Sequence, residues 1–297
     1  MPAQLPSLVA VGPWEHGEFA VVRTEADPDR QWPTVATLSD VAASFTSFAS
    51  ATDALKTSSP VAVPEVILLA QPTPGEDHER EIERLRVEAP LARIVCIAGT
   101  WCEGELRTGH PPEGVVRLYW YEFAPWWRAA VDAWQAGRPV AWSEPLDDPR
   151  AGQQTPFTPV VKTRPNGDAA VGRTLMVSAA DVAVFETLSD VLTPFDWRCV
   201  WRRPHLQQDG VPAEACVAAI WDGGQLSDRE LQSLILFTHS VRASSPPAPI
   251  IALLDFPRAE HFAIAQSAGT TAVLGKPYQL SQLVNELERL STPMNAG

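Results

Sequence analysis

Long apolar runs and clusters of basic residues are both absent from this sequence. No apolar run approaches the roughly 18 residues that cross a bilayer, and the first residues lack the basic region of a signal peptide. We therefore expect a cytoplasmic protein with no membrane contact. The 297 residues carry a formal net charge of −13, whereas a nucleic-acid surface needs clustered Lys and Arg. We expect no nucleic-acid partner.

The sequence also lacks the spacings of metal sites and of nucleophilic catalysis. Its four cysteines form no CxxC or Cys/His pattern and are expected to be small buried thiols; they are Cys96, Cys102, Cys199 and Cys216. No Ser/His/Asp arrangement or glycine-rich phosphate loop is present, and WDGG at 221–224 is typical of a strand-to-helix turn. We expect no metal, no cofactor and no enzymatic activity.

Lysine is scarce as well. The chain has twenty arginines but only three lysines, Lys56, Lys162 and Lys276. An ammonium is a compact point charge and a guanidinium is a wide planar fork, so the two do not replace each other freely in a tight site. Lys276, which lies in the stretch AVLGKPY, therefore marks a position of interest.

Proline is concentrated between two regions of regular pattern. Residues 138–172 contain six prolines and an Asn-Gly turn, which predicts an extended linker. On each side, strands alternate with helices, as in a parallel sheet covered on both faces. The predicted organisation is a domain at 1–137, the linker at 138–172, a second domain at 173–291 and a tail at 292–297.

The C-terminal half shows five strand–helix units. The predicted strands are 174–178, 197–201, 215–221, 249–254 and 271–275. The helix after the third strand begins with a Ser-x-x-Glu capping box formed by Ser227 and Glu230. Five such units in about 120 residues predict a small doubly wound domain.

The N-terminal half has a less regular version of the same pattern. Strands are predicted at 65–70, 93–98 and 115–121, with a last helix at 124–137. Its beginning is ambiguous: residues 7–22 could form a hairpin, or EFAVV within them could be the first strand. The whole chain is predicted to be α/β, with two doubly wound, flavodoxin- or CheY-like parallel sheets of five strands in tandem.

The C-terminal half resembles the CheY-like receiver domains of response regulators. In that family an Asp ending the third strand accepts a phosphoryl group, and a Lys-Pro step follows the fifth strand. Asp222 in AAIWDGG and Lys276-Pro277 in LGKPY, 54 residues later, stand at these positions. The resemblance implies a receiver fold and makes Asp222, Lys276 and Pro277 the equivalents of its phosphorylation site.

The other family positions are altered. The acidic pair that holds Mg²⁺ falls on Ser178-Ala179, and the Thr or Ser position falls on Leu254, although Asp181 and Asp255 lie nearby. A small hard cation needs carboxylate ligands, so we expect no conventional phosphorylation and an ion pair between Asp222 and Lys276. The N-terminal half departs further, with Ala70 at the acceptor position and Trp120-Tyr121 near the Lys-Pro position.

One loop distinguishes the N-terminal half. Residues 99–114 replace the helix after the fourth strand, and loops at the carboxyl ends of strands form the ligand crevice in such sheets. The candidate binding residues in it are Trp101, Glu103, Glu105, Arg107 and His110. The alternative is that the carboxylates and Arg107 only pair with each other to fix the loop.

The leading prediction is a non-catalytic regulatory protein of tandem degenerate receiver domains. No effector-domain motif follows Leu290, so we expect it to act through protein–protein contacts, with an unidentified partner or a second copy binding the 262–287 face. One alternative is a small-molecule-binding protein or enzyme that uses the 99–114 loop. A second alternative is an atypical receiver that is phosphorylated at Asp222.

Overall fold

The computed structural model of the chain describes residues 8–12, 14, 19, 41–45, 48–57, 64–74, 79–105, 112–143, 173–203 and 215–291. The chain divides into two compact units, Met1–Pro156 and Phe157–Gly297. This division falls inside the predicted 138–172 linker. Residues 144–172, the tail at 292–297, Arg107 and His110 lie outside the described residues.

The N-terminal unit is a parallel five-stranded sheet with helices. Its strands are β1 (Leu8–Val11), β2 (Val41–Phe45), β3 (Val66–Gln71), β4 (Arg93–Ala98) and β5 (Val116–Tyr119). Its described helices are α1 (Phe48–Thr57), α2 (Glu79–Glu88) and α3 (Trp120–Gln135). The strand order is β2-β1-β3-β4-β5, with every described pairing parallel.

The start of this unit differs from both alternatives that the sequence suggested. The first strand is β1 rather than EFAVV, whose one described residue, Phe19, is helical. A hairpin would need an antiparallel neighbour for β1, but β1 lies between β2 and β3 and is parallel to both. The correct partner β2 starts thirty residues after β1 ends, so local sequence pattern could not identify it.

Strand β5 is shorter than predicted because helix α3 begins early. The predicted strand ran to Tyr121, but Trp120 and Tyr121 are the first residues of α3. The Glu122 carboxylate accepts a hydrogen bond from the backbone N–H of Tyr119 at 2.8 Å. This contact satisfies a donor at the helix N-terminus and ends the strand.

The first residues of the predicted linker pack into the N-terminal unit. The ring of Trp142 stacks on Trp127 of α3 with centroids 5.3 Å apart, and Arg93 of β4 donates a hydrogen bond to the Trp142 carbonyl at 2.9 Å. Val140 is buried as well. The structure therefore extends the N-terminal unit through at least Trp142.

The C-terminal unit repeats the architecture. Its strands are β6 (Arg173–Ser178), β7 (Trp197–Arg202), β8 (Ala218–Asp222), β9 (Ile250–Asp255) and β10 (Ala272–Lys276). Its described helices are α4 (Val182–Leu192), α5 (Asp228–Ser244), α6 (Ala259–Ser267) and α7 (Leu280–Ser291). The strand order is β10-β9-β8-β6-β7, again all parallel.

The interior of this unit is built from the central strands and the apolar faces of two helices. Ile220 of β8 and Leu253 of β9 are fully buried beside Leu188 of α4 and Leu283 and Leu287 of α7. A strand that is buried on both faces has few polar positions, which explains the continuous apolar runs in the sequence.

Numbered within each unit, both sheets have the order 2-1-3-4-5. This is the doubly wound order shared by flavodoxin and CheY. The predicted fold class, two five-stranded parallel sheets in tandem, is confirmed. In this arrangement ligands bind at the carboxyl ends of the strands, where the strand order reverses.

Candidate functional site

Three charged residues meet at the carboxyl edge of the C-terminal sheet. Asp222 ends β8, Asp255 ends β9 and Lys276 ends β10. Lys276 is paired with Asp255 in the register of β10 and β9. Because the three strands are parallel neighbours, their last side chains lie at one edge.

Lys276 bridges the two carboxylates. Its Nζ lies 3.0 Å from Asp222 Oδ1 and 2.8 Å from Asp255 Oδ1. It also donates a hydrogen bond to the Gly223 carbonyl at 2.6 Å. An ammonium has three N–H donors, and these three oxygens match them. The predicted ion pair between Asp222 and Lys276 is therefore present, with Asp255 as an additional member.

Burial and pairing act against each other at this site. Burial raises the pKa of Asp222 above its ordinary value, although the Lys276 ammonium acts in the opposite direction. Burial also disfavours the charge of Lys276, yet its contacts with Asp255 and Asp222 raise the pKa of its ammonium. The lysine is therefore charged at neutral pH and offsets one of the two carboxylate charges beside it.

The turn after β8 is shaped by two glycines and Glu230. A side chain at Gly223 would collide with the ring of Trp221, and one at Gly224 would lie 2.7 Å from Glu230 Oε1. The Glu230 carboxylate accepts hydrogen bonds from the N–H groups of Gly224 and Ser227 at 2.7 and 2.9 Å. These contacts support the interpretation of WDGG as a strand-to-helix turn.

Asp255, and not Leu254, is the residue of β9 that contacts Lys276 at this edge. Leu254 is fully buried and pairs with Gly275 in the sheet. Strand β9 continues one residue further than predicted, to Asp255. Side chains alternate along a strand, so this one-residue shift replaces an apolar side chain with a carboxylate beside Lys276.

The remaining altered positions supply no further ligand for a cation. Ser178 and Ala179, at the end of β6, are both buried. Asp181 instead caps helix α4 by accepting a hydrogen bond from the Ala183 N–H at 2.9 Å, and its side chain is exposed. Pro277 follows Lys276 and is exposed.

The N-terminal unit has a buried polar cluster at the corresponding edge. Arg117 of β5 donates to Glu105 at 2.5 Å and to the Gln71 side-chain oxygen at 3.0 Å. The Gln71 amide donates to both Glu105 oxygens at 3.3 and 3.4 Å. All three residues have little contact with water: the exposed fractions are 1% for Gln71, 5% for Glu105 and 7% for Arg117.

Glu105 therefore ties the described first part of the 99–114 loop to Arg117 and Gln71 of the sheet. Its first residues form a short 3-10 helix, Thr100–Cys102, and the Trp120 indole donates to the Thr100 hydroxyl at 3.2 Å. Trp101 is 78% exposed and Glu103 is partly buried. The sequence interpretation paired the carboxylates with Arg107, which is not described; the described partner of Glu105 is Arg117.

Ala70 and Trp120-Tyr121 lie near the carboxyl ends of β3 and β5, although the predicted strands ended at Ala70 and Tyr121 and the observed strands end at Gln71 and Tyr119. Ala70 is next to the end of β3 and is buried. Trp120 and Tyr121 follow β5, and both are buried. None of the three is a carboxylate or a lysine, in contrast to Asp222 and Lys276 in the C-terminal unit.

The cysteines have the character of structural thiols. Burial raises the pKa of Cys96 to about 12 and of Cys102 to about 11. The Cys96 thiol donates to the side-chain oxygen of Gln71 at 3.3 Å, and the Cys102 thiol donates to the backbone carbonyl of Gln71 at 3.4 Å. Burial likewise raises the pKa of Cys199 and Cys216. A thiol kept protonated in this way is a poor nucleophile.

Sequence reasoning missed Gln71 and Arg117. Gln71 is the last residue of the apolar strand VILLAQ, and Arg117 is the second residue of the short strand VRLY. A buried charge needs a partner, so a lone arginine in an apolar strand is a signal that a carboxylate lies nearby. The signal does not identify which carboxylate, because Glu105 reaches Arg117 only through the fold of the loop.

Other features of the described residues are less specific. No group of three or more His, Cys, Asp or Glu in them is placed to hold a metal ion. A cavity of about 700 Å³ lies along α2 and is also lined by Pro112 and Glu113 of the 99–114 loop, but by none of residues 101–105. No described helix is both long enough and apolar enough to span a membrane.

Comparisons with known proteins find similarity in structure only. No protein-family model matches the chain, and no curated protein matches it. Solved structures similar to it include a response regulator from Thermotoga maritima, at 14% identity, a TM-score of 0.33, and coverage of 40% of this chain and 98% of that one.

Two further similar structures are receiver domains. A receiver protein from Pseudoalteromonas atlantica is 15% identical, with a TM-score of 0.33, and the match covers 39% of this chain and 95% of that one. The HemR receiver domain from Leptospira biflexa is 16% identical, with a TM-score of 0.34 and coverage of 40% and 94%. The fold assignment made above rests on the strand order of the two sheets.

Proposed function

We propose that this chain is a cytoplasmic, non-catalytic regulatory protein related to two-component signalling, and that it acts through protein–protein contacts. In this proposal the C-terminal unit keeps the frame of a receiver but is not switched by phosphorylation at Asp222. The observation that carries the proposal is the triple contact of Lys276 with Asp222, Asp255 and Gly223.

Charge balance supports the proposal. Phosphoryl transfer depends on positioning and on neutralising charge on the phosphoryl oxygens, and Mg²⁺ does much of that work. Here Ser178 and Ala179 provide no carboxylate at the end of β6. The Lys276 ammonium neutralises Asp222 internally, and its three close oxygens leave it no free donor for a phosphoryl group.

The contact surface remains a prediction. The 262–287 face is formed by α6, β10 and α7, and Ile264 on α6 is 36% exposed. Gln282 and Glu286 on α7 are 3% and 4% exposed in this structure. We therefore place the accessible part of the proposed face on α6 rather than on α7.

The proposal is tested with a small phosphodonor. The full chain is incubated with acetyl phosphate and Mg²⁺ beside a phosphorylatable receiver protein as positive control, and intact masses are measured. We expect the mass of the control to rise by one phosphoryl group and that of this chain to stay unchanged. A phosphoryl adduct that disappears in Asp222→Asn would show a live receiver and overturn the proposal.

A further inference from the structure

Strand β7 is an edge strand with an unusual charge. Its sequence and the next residue, WRCVWRR at 197–203, contain three arginines and no acidic residue, in a chain with 36 acidic and 23 basic residues. Within the part of the chain that the structure describes, β7 pairs with β6 alone. Its outer N–H and C=O groups therefore face no described strand.

Two of these arginines have no described carboxylate within salt-bridge distance. Arg202 has only a long contact, 4.0 Å, from its guanidinium to the Met176 sulfur. Arg203 is exposed, and its guanidinium lies 4.4 Å from the centre of the Trp201 ring. By contrast, nearby Arg173 is neutralised by Glu288. The positive charge at the end of β7 is therefore not balanced locally by the described residues.

The side chains of β7 are held in defined places. Trp201 stacks on Phe185 of α4 with ring centroids 5.5 Å apart, and its indole donates to the Ala179 carbonyl at 3.0 Å. Arg203 stacks in turn on Trp201, a cation–π arrangement that limits the motion of the guanidinium. Arg198, near the start of the strand, donates to the Thr174 hydroxyl at 3.0 Å. Preordered donors lose less entropy when they bind a ligand.

We propose that the outer edge of β7 binds an extended acidic peptide segment of a partner protein as an added β-strand. The backbone edge supplies main-chain hydrogen bonds, and Arg202 and Arg203 select for acidic side chains by charge complementarity. Side chains alternate along a strand, so Arg202 and Arg203 project to opposite faces of the sheet. A segment with Asp or Glu at every second position presents all its carboxylates on one face, where they meet Arg202 or Arg203 according to the register. This inference rests on the proposed function and specifies the partner as a protein with an extended acidic segment.

The test uses a labelled peptide of alternating Glu and Val, seven residues long and blocked at both ends, with the full chain and fluorescence anisotropy. We expect saturable binding that weakens as salt is raised, because exposed charges are screened. Arg202→Glu with Arg203→Glu should weaken binding by at least about tenfold. The matched control, Arg84→Glu with Arg229→Glu, changes the net charge equally at two exposed positions on α2 and α5 and should change affinity less than about twofold.

Two further control ligands distinguish strand addition from simple charge attraction. A peptide with the same charges but with every backbone nitrogen methylated should not bind, because it has no N–H group left to donate to the outer edge of β7. A labelled single-stranded oligonucleotide should bind more weakly than the peptide. If the reversed variant does not fold by circular dichroism, Arg202→Gln with Arg203→Gln replaces it and should also weaken binding.

Several results would overturn the inference. These are no binding of the peptide, an equal loss in the control variant, equal binding of the methylated peptide, or tighter binding of the oligonucleotide. Dimerisation of the chain alone that the β7 charge reversal abolishes would make a second copy the occupant and also overturn it. None of these results depends on Asp222, so the phosphodonor experiment and this one can fail separately.

Discussion

Lys276 places one positive charge between two carboxylates, Asp222 and Asp255. The ammonium contacts both and also the Gly223 carbonyl, in three different directions. A guanidinium presents its donors in one plane and occupies more space, which gives a physical reason for a lysine here in a chain with twenty arginines and only two other lysines. Under the proposed function, this cation supplies the positive charge that a metal ion would otherwise bring.

The first residue-scale prediction is a double-mutant cycle at this site. The side chains of Lys276 and Asp222 are 26% and 16% exposed, so breaking the pair strands a partly buried charge. Lys276→Met should lower the free energy of unfolding by about 1–3 kcal/mol, between the values for exposed and fully buried pairs. Adding Asp222→Asn should recover part of the loss, because one carboxylate is then no longer stranded.

Urea unfolding of the full chain measures the cycle. Arg229→Met, at an exposed position on α5, is the matched control and should change stability by less than about 0.5 kcal/mol. Strictly additive losses from Lys276→Met and Asp222→Asn would mean that the two side chains do not interact.

A second residue-scale prediction concerns pH. Burial raises the pKa of Glu122 from 4.5 to about 7, against the opposing hydrogen bond from the Tyr119 N–H. The native chain then binds a proton more tightly than the unfolded chain between these two values. Its stability should therefore fall as pH rises from about 4.5 to about 7 and change little above that, by at most about 3 kcal/mol.

Glu122→Gln keeps a hydrogen-bond acceptor at the helix start but cannot titrate, so this part of the pH dependence should disappear. Urea unfolding at pH 5 and pH 8 is followed by tryptophan fluorescence, since eight of the eleven tryptophans lie before residue 157. A wild-type protein and a Glu122→Gln variant with the same pH dependence would refute the assignment.

At the scale of single residues, the sequence identified the ion pair of Asp222 and Lys276 but not the residues around it. Asp222 and Lys276 were recognisable because each stands at a family position at the end of an apolar strand. The predicted end of β9 was one residue too early and so left out Asp255. The end of this strand is set by its pairing with β10 and not by hydrophobicity. Gln71 and Arg117 were missed because their partner Glu105 belongs to an irregular loop.

At the scale of elements, a buried ion pair fixes the described first part of the 99–114 loop, residues 99–105, to the sheet. Arg117 of β5 and Glu105 have side chains 6% and 2% exposed. Arg117→Met should leave the Glu105 carboxylate uncompensated and cost about 3–5 kcal/mol of stability. Adding Glu105→Leu should recover part of that loss, because no charge is then stranded.

The surface pair of Arg86 with Glu83 supplies the control, since the side chain of Glu83 is 66% exposed. Glu83→Gln breaks this pair but leaves the hydrogen bond from Arg86 to the Glu113 carbonyl, and it should cost less than about 1 kcal/mol. Tryptophan-monitored urea unfolding compares the three variants. Equal losses in Arg117→Met and Glu83→Gln would show that the loop is not held by the buried pair.

Strands and helices were predictable where their signals are local. Strand β4 was predicted to the residue, and the helix starts at Asp181 and Ser227 carry capping side chains. Strand β1 was not identified, because it has only four residues and its position depends on parallel neighbours far along the chain. Pairing between distant strands is a property of the fold and not of a local pattern.

At the scale of the whole molecule, the two units share one strand order but differ at the carboxyl edges of their sheets. In each, a cation from the last strand neutralises a carboxylate: Arg117 with Glu105, and Lys276 with Asp222. The N-terminal pair is more buried than the C-terminal pair. Both edges thus place a cation against a carboxylate where doubly wound folds commonly bind a ligand, and Asp255 adds a second carboxylate at the C-terminal edge.

Titration of the full chain with Mg²⁺ by isothermal calorimetry tests the central claim most directly. If Lys276 supplies the charge that a metal would bring, and Ser178 and Ala179 supply no ligand, the wild-type chain should show no saturable heat at millimolar Mg²⁺. Asp222→Asn should give the same flat trace. Saturable binding in the wild-type chain that disappears in Asp222→Asn would contradict the account.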